Sequence, residues 1–396
     1  MQTTIVKARH AYDFLALVPQ LVGFQPENSM VLVAFRGNRT CGALRFNLPG
    51  PECAPKVHKR IATTLIGTLC KIPGVDAVVP VVYTASSCAA VVGLPHERFV
   101  TSLVKRAELS GFLVRDALCV GADGWGSYLD PRCPEAGRPL ADIAASTVHT
   151  AIPTSARRGL GTLHSGTELP LVSPAERERV ARACRRYRRF GAPADSAELL
   201  PVTEVLNPID TAEEALTWDA SAPTPEQVAK LLFLVQAAGD RDQVMLQFAF
   251  GREVGVLAHA ANEHYRQRQE ATGRDMDDLV DEEQAAGTNT EVRRIGDLML
   301  GLTEDRPVPE RIECAIALLK RVVSSAPRSA RPAPLCMLAW LSWALGRGTV
   351  AGIFIDQALA LDPEYGMGIL LNTLVCSGLL PEWAYAVPLD QPHDER

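Results

Sequence analysis

The feature that most constrains the fold is a near-continuous apolar run, Val75–Thr84 (VDAVVPVVYT), which lies between two helical patterns. A strand this apolar is typical of a sheet that is covered on both faces. Helical periodicity precedes the run over Lys56–Lys71 and follows it over Glu97–Ser110. Pro80 lies inside the run and predicts a bulge or a kink there.

Other strand patterns surround this central run. Ser29–Phe35 and Cys41–Leu48 flank Gly37-Asn38, a hairpin signal, and Phe112–Val120 comes last. The order strand, strand, helix, strand, helix, strand contains two consecutive β-α-β crossovers. We therefore predict an α/β N-terminal domain with a mostly parallel mixed sheet and flanking helices.

The C-terminal half has helical patterns instead. Thr224-Pro225-Glu226-Gln227 combines an N-cap residue, proline at the first helical position and glutamine at the third, which indicates a helix start. Residues 271–290, which include an acidic stretch, predict a mobile loop. The predicted domains are 1–172 (α/β), 173–222 (Arg-rich helix and Pro-containing linker) and 223–396 (all-α).

Leu335–Pro363 (LCMLAWLSWALGRGTVAGIFIDQALALDP) resembles a tetratricopeptide unit, with Gly346 in the turn between two helices. Its closing proline lies 36 residues after that of Arg311–Pro327, close to the ~34-residue period of that repeat. We predict a tetratricopeptide-like helix pair at about 335–365. It serves either as a packing module, which we favour, or as a peptide-binding groove.

Composition limits the classes of function. A net charge of −6 argues against a chain built to coat nucleic acid or an anionic membrane. The N-terminus has no signal-peptide pattern, and no apolar run approaches the ~20 residues of a membrane-spanning helix. We expect a cytoplasmic protein without membrane contact. The ten cysteines include no CxxC pair, and most are expected to be buried thiols.

The predicted ligand site lies where two strands end. Ser86 and Ser87 follow the run Val75–Thr84, and Asp123, Trp125 and Tyr128 follow Phe112–Val120. Ligands of parallel sheets bind beyond the carboxyl ends of strands. The alternative is a structural loop held by its aromatic residues.

No cofactor or metal is predicted. The glycines near Trp125 fit neither dinucleotide nor P-loop spacing, and the histidines are too scattered to ligate one ion. Ser86, Ser87, Cys88 and Ser127 are candidate nucleophiles by residue type only, because no GxSxG elbow is present.

The helix pattern over Pro174–Phe190 carries seven arginines between Arg177 and Arg189. Four of them share one face and are candidates for binding phosphate or an acidic partner: Arg182, Arg185, Arg186 and Arg189. The same face could instead pair with the acidic stretch 275–283 of this chain, or be solvated.

Two segments resemble an actinobacterial family known only as a domain of unknown function. Phe14–Val31 (FLALVPQLVGFQPENSMV) is similar to the family pattern "LLAaVPyLLGFhPedSlVvv". Gly124–Tyr128 followed by Cys133–Leu140 (CPEAGRPL) is similar to "RWwSYlC…CCPpeG". The resemblance covers roughly residues 10–150 and implies no activity. This chain has Gly124 in place of the family's arginine and a single Cys133 in place of a cysteine pair, so any metal or redox role of those cysteines would be lost.

Three hypotheses of function follow. The first is a non-enzymatic interaction or scaffold protein whose partner binds the C-terminal helical domain. The second is a small-ligand sensor or an enzyme that uses the loops near Ser86 and Trp125. The third is nucleic-acid binding through the helix Arg177–Arg189, which the overall acidic charge disfavours. The oligomeric state does not follow from the sequence.

Overall fold

The computed structural model describes residues 6–22, 24–50, 53–90, 93–151, 166–191, 206–286, 290–378 and 380–385. The chain divides into two compact units, one ending at Gly166 and the other spanning Thr167–Ala386. We call them the N-terminal unit and the helical unit.

The N-terminal unit is an α/β domain. Its elements are α1 (Ala11–Val22), β1 (Ser29–Arg36), β2 (Arg39–Asn47), α2 (Pro55–Cys70), β3 (Ala77–Tyr83), α3 (Glu97–Leu109), β4 (Leu113–Val114), β5 (Leu118–Val120), β6 (Trp125–Ser127), α4 (Ala141–Ala144) and α5 (Val148–Ala151). The predicted mixed sheet with flanking helices is confirmed.

The prediction that this sheet is mostly parallel is wrong. Its strand order is β2-β1-β3-β5-β6, with β4 also paired to β3. β1 is antiparallel to both β2 and β3, β5 is antiparallel to β6, and only the pairs of β3 with β4 and β5 are parallel. The tight turn at Gly37-Asn38 makes β1 and β2 antiparallel, and β1 lies between the parallel strands β2 and β3. Both predicted crossovers therefore exist, but the first one passes over β1.

Pro80 lies in the middle of β3 without breaking it. The parallel pairing of β3 with β4 ends at Val78, and its parallel pairing with β5 begins at Val81. Pro80 therefore lies opposite the gap between β4 and β5. The register shifts by one residue there, from Val78↔Val114 to Val81↔Leu118. The irregularity that proline predicted is present, but it lies in the neighbouring strand, because proline has no N–H to donate to that strand.

The sheet is covered on both faces, as the apolar run predicted. Alternate residues of β1 face opposite sides. Met30 and Leu32 pack with α2 and α3, whereas Val31 and Val33 pack with α1 and Trp125. All seven residues of β3 are buried.

The helical unit contains the remaining described helices. They are α6 (Pro174–Gly191), α7 (Pro208–Ala215), α8 (Pro225–Leu234), α9 (Ala238–Phe250), α10 (Arg252–Thr272), α11 (Met276–Ala286), α12 (Thr290–Leu300), α13 (Pro309–Ser325), α14 (Pro332–Ala344), α15 (Gly348–Leu361) and α16 (Gly366–Cys376). The predicted helix start at Thr224 is a complete capping box. Residues 192–205 of the predicted linker lie outside the described residues, and α6 and α7 on either side of them belong to this unit.

Helix α14 is the centre of this unit. Every residue from Pro332 to Ala344 is buried, and Trp340 and Trp343 are among its largest buried side chains. α14 packs against α15 across a turn where Gly346 has a positive φ of 76°. A helix buried along its whole length cannot line an open groove, which favours the packing role for the predicted helix pair.

The predicted loop over 271–290 contains a helix instead, α11. Leu279 is fully buried, and Glu283 accepts a hydrogen bond from Tyr265 of α10 at 2.9 Å. Glu283 also pairs with Arg268, and Glu282 pairs with Arg274 at 2.6 Å. These two glutamates thus have basic partners on the preceding helix and in the turn after it, which stabilises a helix that the sequence pattern alone did not indicate.

Candidate functional site

The candidate site is a cleft of about 330 Å³ in the N-terminal unit. It lies beside β6, where the start of α1 meets the loops that flank β5 and β6. Its lining residues are His10, Ala11, Tyr12, Asp116, Trp125, Ser127, Asp130, Arg138 and Asp142. The volume is at the lower end of the range for small-molecule sites.

Aromatic rings form one wall of the cleft. Tyr12 contacts Trp125 edge to face, with ring centroids 6.3 Å apart, and His10 stacks on Tyr12 at 5.0 Å. Trp125 is only 4% exposed, and its indole N–H donates to Asp142 at 3.3 Å. The tryptophan is therefore a fixed part of the wall.

Arg138 lies over Trp125 and is held in place on both sides. Its guanidinium is 5.2 Å from the centroid of the indole ring, and its Nη2 donates to Asp130 at 2.5 Å. The backbones of Arg138 and Trp125 exchange two hydrogen bonds, of 2.9 and 2.7 Å. The bond from Arg138, together with that from the Arg132 N–H, lowers the pKa of Asp130, so this carboxylate stays charged.

Two more carboxylates face the cleft with one oxygen engaged. Asp116 Oδ1 accepts from Ser127 Oγ at 2.5 Å and from the Ala117 N–H at 2.8 Å. Asp142 Oδ2 accepts from Trp125. Among the residues that the structure describes, nothing donates to the second oxygen of either group. Ser127 in turn accepts from the Leu129 N–H at 3.1 Å, so its hydroxyl holds the turn after β6.

Asp13 fixes the segment that brings His10 and Tyr12 to the cleft. It is the third residue of α1, and its Oδ2 accepts from the N–H groups of Arg9 and His10, both at 3.2 Å. Its Oδ1 accepts from Ser146 Oγ at 2.6 Å. Burial raises the pKa of Asp13, but these hydrogen bonds outweigh burial, and the pKa lies below its ordinary value.

The structure brings together three of the five residues predicted for the ligand site, at a point other than this cleft. Ser87 Oγ donates to Asp123 Oδ2 at 2.5 Å, and the Cys88 N–H donates to Asp123 Oδ1 at 2.7 Å. Ser86 accepts from the Ala122 N–H at 3.1 Å. These bonds fasten the loop after β3 to the loop after β5. Ligand contacts by Ser86, Ser87 and Asp123 stay a prediction.

The other two predicted residues are separated. Trp125 lines the cleft, whereas Tyr128 packs in the core on the α2–α3 side of the sheet and its hydroxyl donates to the Pro95 carbonyl. The cleft residues that sequence reasoning missed are His10, Tyr12, Asp116, Arg138 and Asp142. Arg138 could have been predicted from the sequence, because it lies in the second segment that carried the family resemblance.

The cysteines differ from expectation, since only Cys88, Cys119 and Cys336 are buried. Cys88 and Cys119 are neighbours in the core of the N-terminal unit. The hydrogen bond between their thiols lowers the pKa of Cys88 and, together with burial, raises that of Cys119. Within the described ranges, no three His, Cys, Asp or Glu residues are placed to hold a metal ion, and no helix is long and apolar enough to cross a membrane.

The predicted arginine face lies on α6, and its arginines have acidic neighbours. Arg182 and Arg185 both pair with Glu178, at 3.2 and 3.1 Å, and Arg186 pairs with Glu226 of α8. The side chain of Arg189 lies outside the described part of the chain. The ion pairs of Glu282 and Glu283 in the acidic stretch go to Arg268 of α10 and to Arg274, which follows α10. Phosphate binding by the predicted face stays a prediction.

The comparisons with known proteins place the chain in a family. The family model described as "Domain of unknown function (DUF4192)" matches residues 12–382. The chain belongs to the DUF4192 family. Neither the search of curated proteins nor the search of solved structures finds a match. The DUF4192 match spans both units, so the helical unit is part of the family's domain and not an addition to it.

Proposed function

We propose that the N-terminal unit binds a small amine-bearing ligand in the cleft beside Trp125. One observation carries the proposal: an aromatic wall and two carboxylates with an unengaged oxygen face the same 330 Å³ space. The proposal is for binding, because the Ser127 hydroxyl and Asp116 are engaged with each other and with backbone groups.

The charge of the cleft favours a cation. Three aspartates and one arginine line it, which gives a formal charge of −2 with His10 neutral. The charge of Asp130 is balanced by Arg138. Within the described residues, Asp116 and Asp142 have no ion-pair partner of their own, and they are the groups with an unengaged oxygen.

A primary ammonium group suits both features of the cleft. Its N–H groups are donors for carboxylate oxygens, and its charge is attracted to the faces of aromatic rings such as Tyr12. A carboxylate ligand would meet like charges instead, and a neutral polyol could donate to the carboxylates but would not neutralise their charge. We therefore expect affinity to follow the charge of the ligand.

The test is calorimetric titration of the full chain at low salt with agmatine and spermidine as amines, and with butyrate and glycerol as comparison compounds. We expect saturable binding of an amine only. Asp116→Asn and Asp142→Asn should each weaken it roughly 10- to 100-fold, the effect of losing one charged hydrogen bond of about 1.5–3 kcal/mol.

Glu108→Gln is the matched control, because it removes the same charge from an exposed position on α3. An equal loss of affinity in Glu108→Gln would mean that only net charge matters. Tighter binding of butyrate than of either amine would contradict the proposal outright.

A second function, protein interaction, is supported by α16. This helix has no charged residue, yet only Gly368 and Leu371 are buried, while Ile369 and Leu370 are 48% and 68% exposed. Terminal helices of helical arrays normally have a polar outer face. The outer face of α16 is where a further helix of the array would pack, so the partner we propose is an amphipathic helix of another protein.

Ile369→Glu and Leu370→Glu should abolish such a complex, measured by quantitative pull-down with the full chain. Leu171→Glu is the control, since Leu171 is 97% exposed elsewhere in the same unit. The other partner considered for this face is a second copy of the chain, and light scattering of the pure protein detects such a dimer. A complex that survives both α16 variants would exclude this face.

A further inference from the structure

We propose that the helical unit has a second binding site, for a compact phosphate-class dianion, at a cluster of three arginines. Arg177 belongs to α6. Arg328 lies in the 3₁₀ turn Arg328–Ala330 after α13, and Arg331 directly precedes α14. Arg177 and Arg331 both contact the end of α13, and Arg328 follows that end of the helix directly in the chain. This region lies outside the proposed function in the N-terminal unit.

Backbone carbonyls hold two of these side chains next to each other. Arg177 Nε donates to the Ser324 carbonyl at 3.3 Å, and Arg331 Nε donates to the Ala326 carbonyl at 3.0 Å. The two carbonyls are two residues apart at the end of α13. Both bonds use Nε, so the paired Nη groups that bind oxyanions are not engaged by these carbonyls.

The cluster lacks the neutralisation that α6 has elsewhere. Arg182, Arg185 and Arg186 each have a glutamate partner. In the part of the chain that the structure describes, no carboxylate lies within 4.0 Å of a nitrogen of Arg177, Arg328 or Arg331. Burial and the nearby charges of Arg177 and Arg328 lower the pKa of Arg331, as expected of like charges held together.

A purely structural role explains only part of this arrangement. Cations near the last carbonyls of a helix stabilise it, and Arg177 and Arg331 do contact the end of α13. That role needs the two Nε atoms alone. It does not account for Arg328, which is exposed and adds a third positive charge.

The chemistry of the cluster selects the ligand. Guanidinium groups match the oxygens of phosphate with paired hydrogen bonds. The start of α14 can add little, because Pro332 and Pro334 have no N–H to donate. The cluster has three arginines, and three of the α6 arginines that an extended nucleic acid would need, Arg182, Arg185 and Arg186, are already paired with glutamates. A single phosphate group, free or as a phosphomonoester, therefore fits better than a nucleic-acid backbone.

The test is calorimetric titration of the full chain at low ionic strength with three probes: inorganic phosphate, phenyl phosphate and a single-stranded 12-mer DNA. We expect saturable binding of phosphate or phenyl phosphate. The tighter of the two tells whether the site takes the free ion or an ester. Arg328→Gln and Arg331→Gln should each weaken this binding at least ten-fold.

Arg252→Gln is the matched control, because it removes the same charge from the same unit at a position paired with Asp210. It should leave phosphate binding unchanged. Arg328 is exposed, so its variant is expected to fold normally, which circular dichroism checks. Absence of saturable phosphate binding, an equal loss in Arg252→Gln, or a preference for the 12-mer would each overturn the proposal.

Discussion

Replacing Asp13 should loosen the start of α1 and with it one wall of the cleft. Asp13 is 6% exposed and accepts three hydrogen bonds, from Ser146 Oγ and from the N–H groups of Arg9 and His10. Asp13→Ala leaves the buried Ser146 hydroxyl without its acceptor, which costs about 1–3 kcal/mol. The two N–H groups lie near the surface and add roughly 0.5–1 kcal/mol together, because water replaces part of each bond.

The expected total is about 1.5–4 kcal/mol, which corresponds to roughly a 10- to 1000-fold change in the opening equilibrium of α1. Hydrogen exchange of the peptide covering residues 9–22 measures it directly, whereas a thermal melt of a chain with two units need not be two-state. Ser146→Ala removes one of the three bonds and should have a smaller effect. Exchange in Asp13→Ala within two-fold of the wild type would refute the reasoning.

The pKa of Asp13 also predicts a dependence on pH. Because this pKa is depressed in the folded protein, its stabilising contribution is present above the unfolded value of about 3.9. The contribution is lost as the pH falls through the lower folded value. The protection of residues 9–22 against exchange, relative to the intrinsic rate at each pH, should therefore fall in acid more in the wild type than in Asp13→Ala. An equal loss of protection in both proteins would show that Asp13 is not the responsible group.

Two further predictions concern packing. Gly126→Ala should destabilise the N-terminal unit by about 1–3 kcal/mol in urea unfolding, because a Cβ there would lie 2.6 Å from the sulfur of Cys133. Gly42→Ala, where nothing lies within 4 Å, should not. In the helical unit, Leu338→Ala should cost about 2–5 kcal/mol since Leu338 is fully buried, whereas Leu370→Ala on exposed α16 should stay within about 0.5 kcal/mol. Equal effects within either pair would contradict the packing described.

The sequence predicts local structure here better than it predicts the arrangement of strands. Apolar runs and turn residues predicted the positions of β1, β2 and β3. A strand that is buried on both faces has an apolar sequence, which can be recognised directly. The order of the strands in the sheet has no comparable signal in the sequence. A β-α-β pattern looks the same whether its two strands are neighbours or have β1 between them, so the sheet was expected to be mostly parallel.

The same limit applies to the cleft. Trp125 was predicted because it follows a strand, but His10 and Asp142 come from segments far away in sequence. Asp13 could be placed at a helix start, yet its bond to Ser146 spans 133 residues and has no local signal. The ion pair between α6 and α8 also has no local sequence signal, because Glu226 contacts Arg186 only when α6 packs on α8.

The most direct test of the account is the indole N–H resonance of Trp125 during titration with agmatine or spermidine. The chain has five tryptophans, and the indole N–H groups of Trp340 and Trp383 donate to backbone carbonyls inside the helical unit, so they serve as internal controls. The Trp125 signal is assigned by its absence in Trp125→Phe. We predict a saturable shift of this signal alone, which in Asp142→Asn requires a roughly 10- to 100-fold higher amine concentration. An unmoved Trp125 signal at saturating amine, or parallel shifts of all the indole signals, would contradict ligand binding in the cleft.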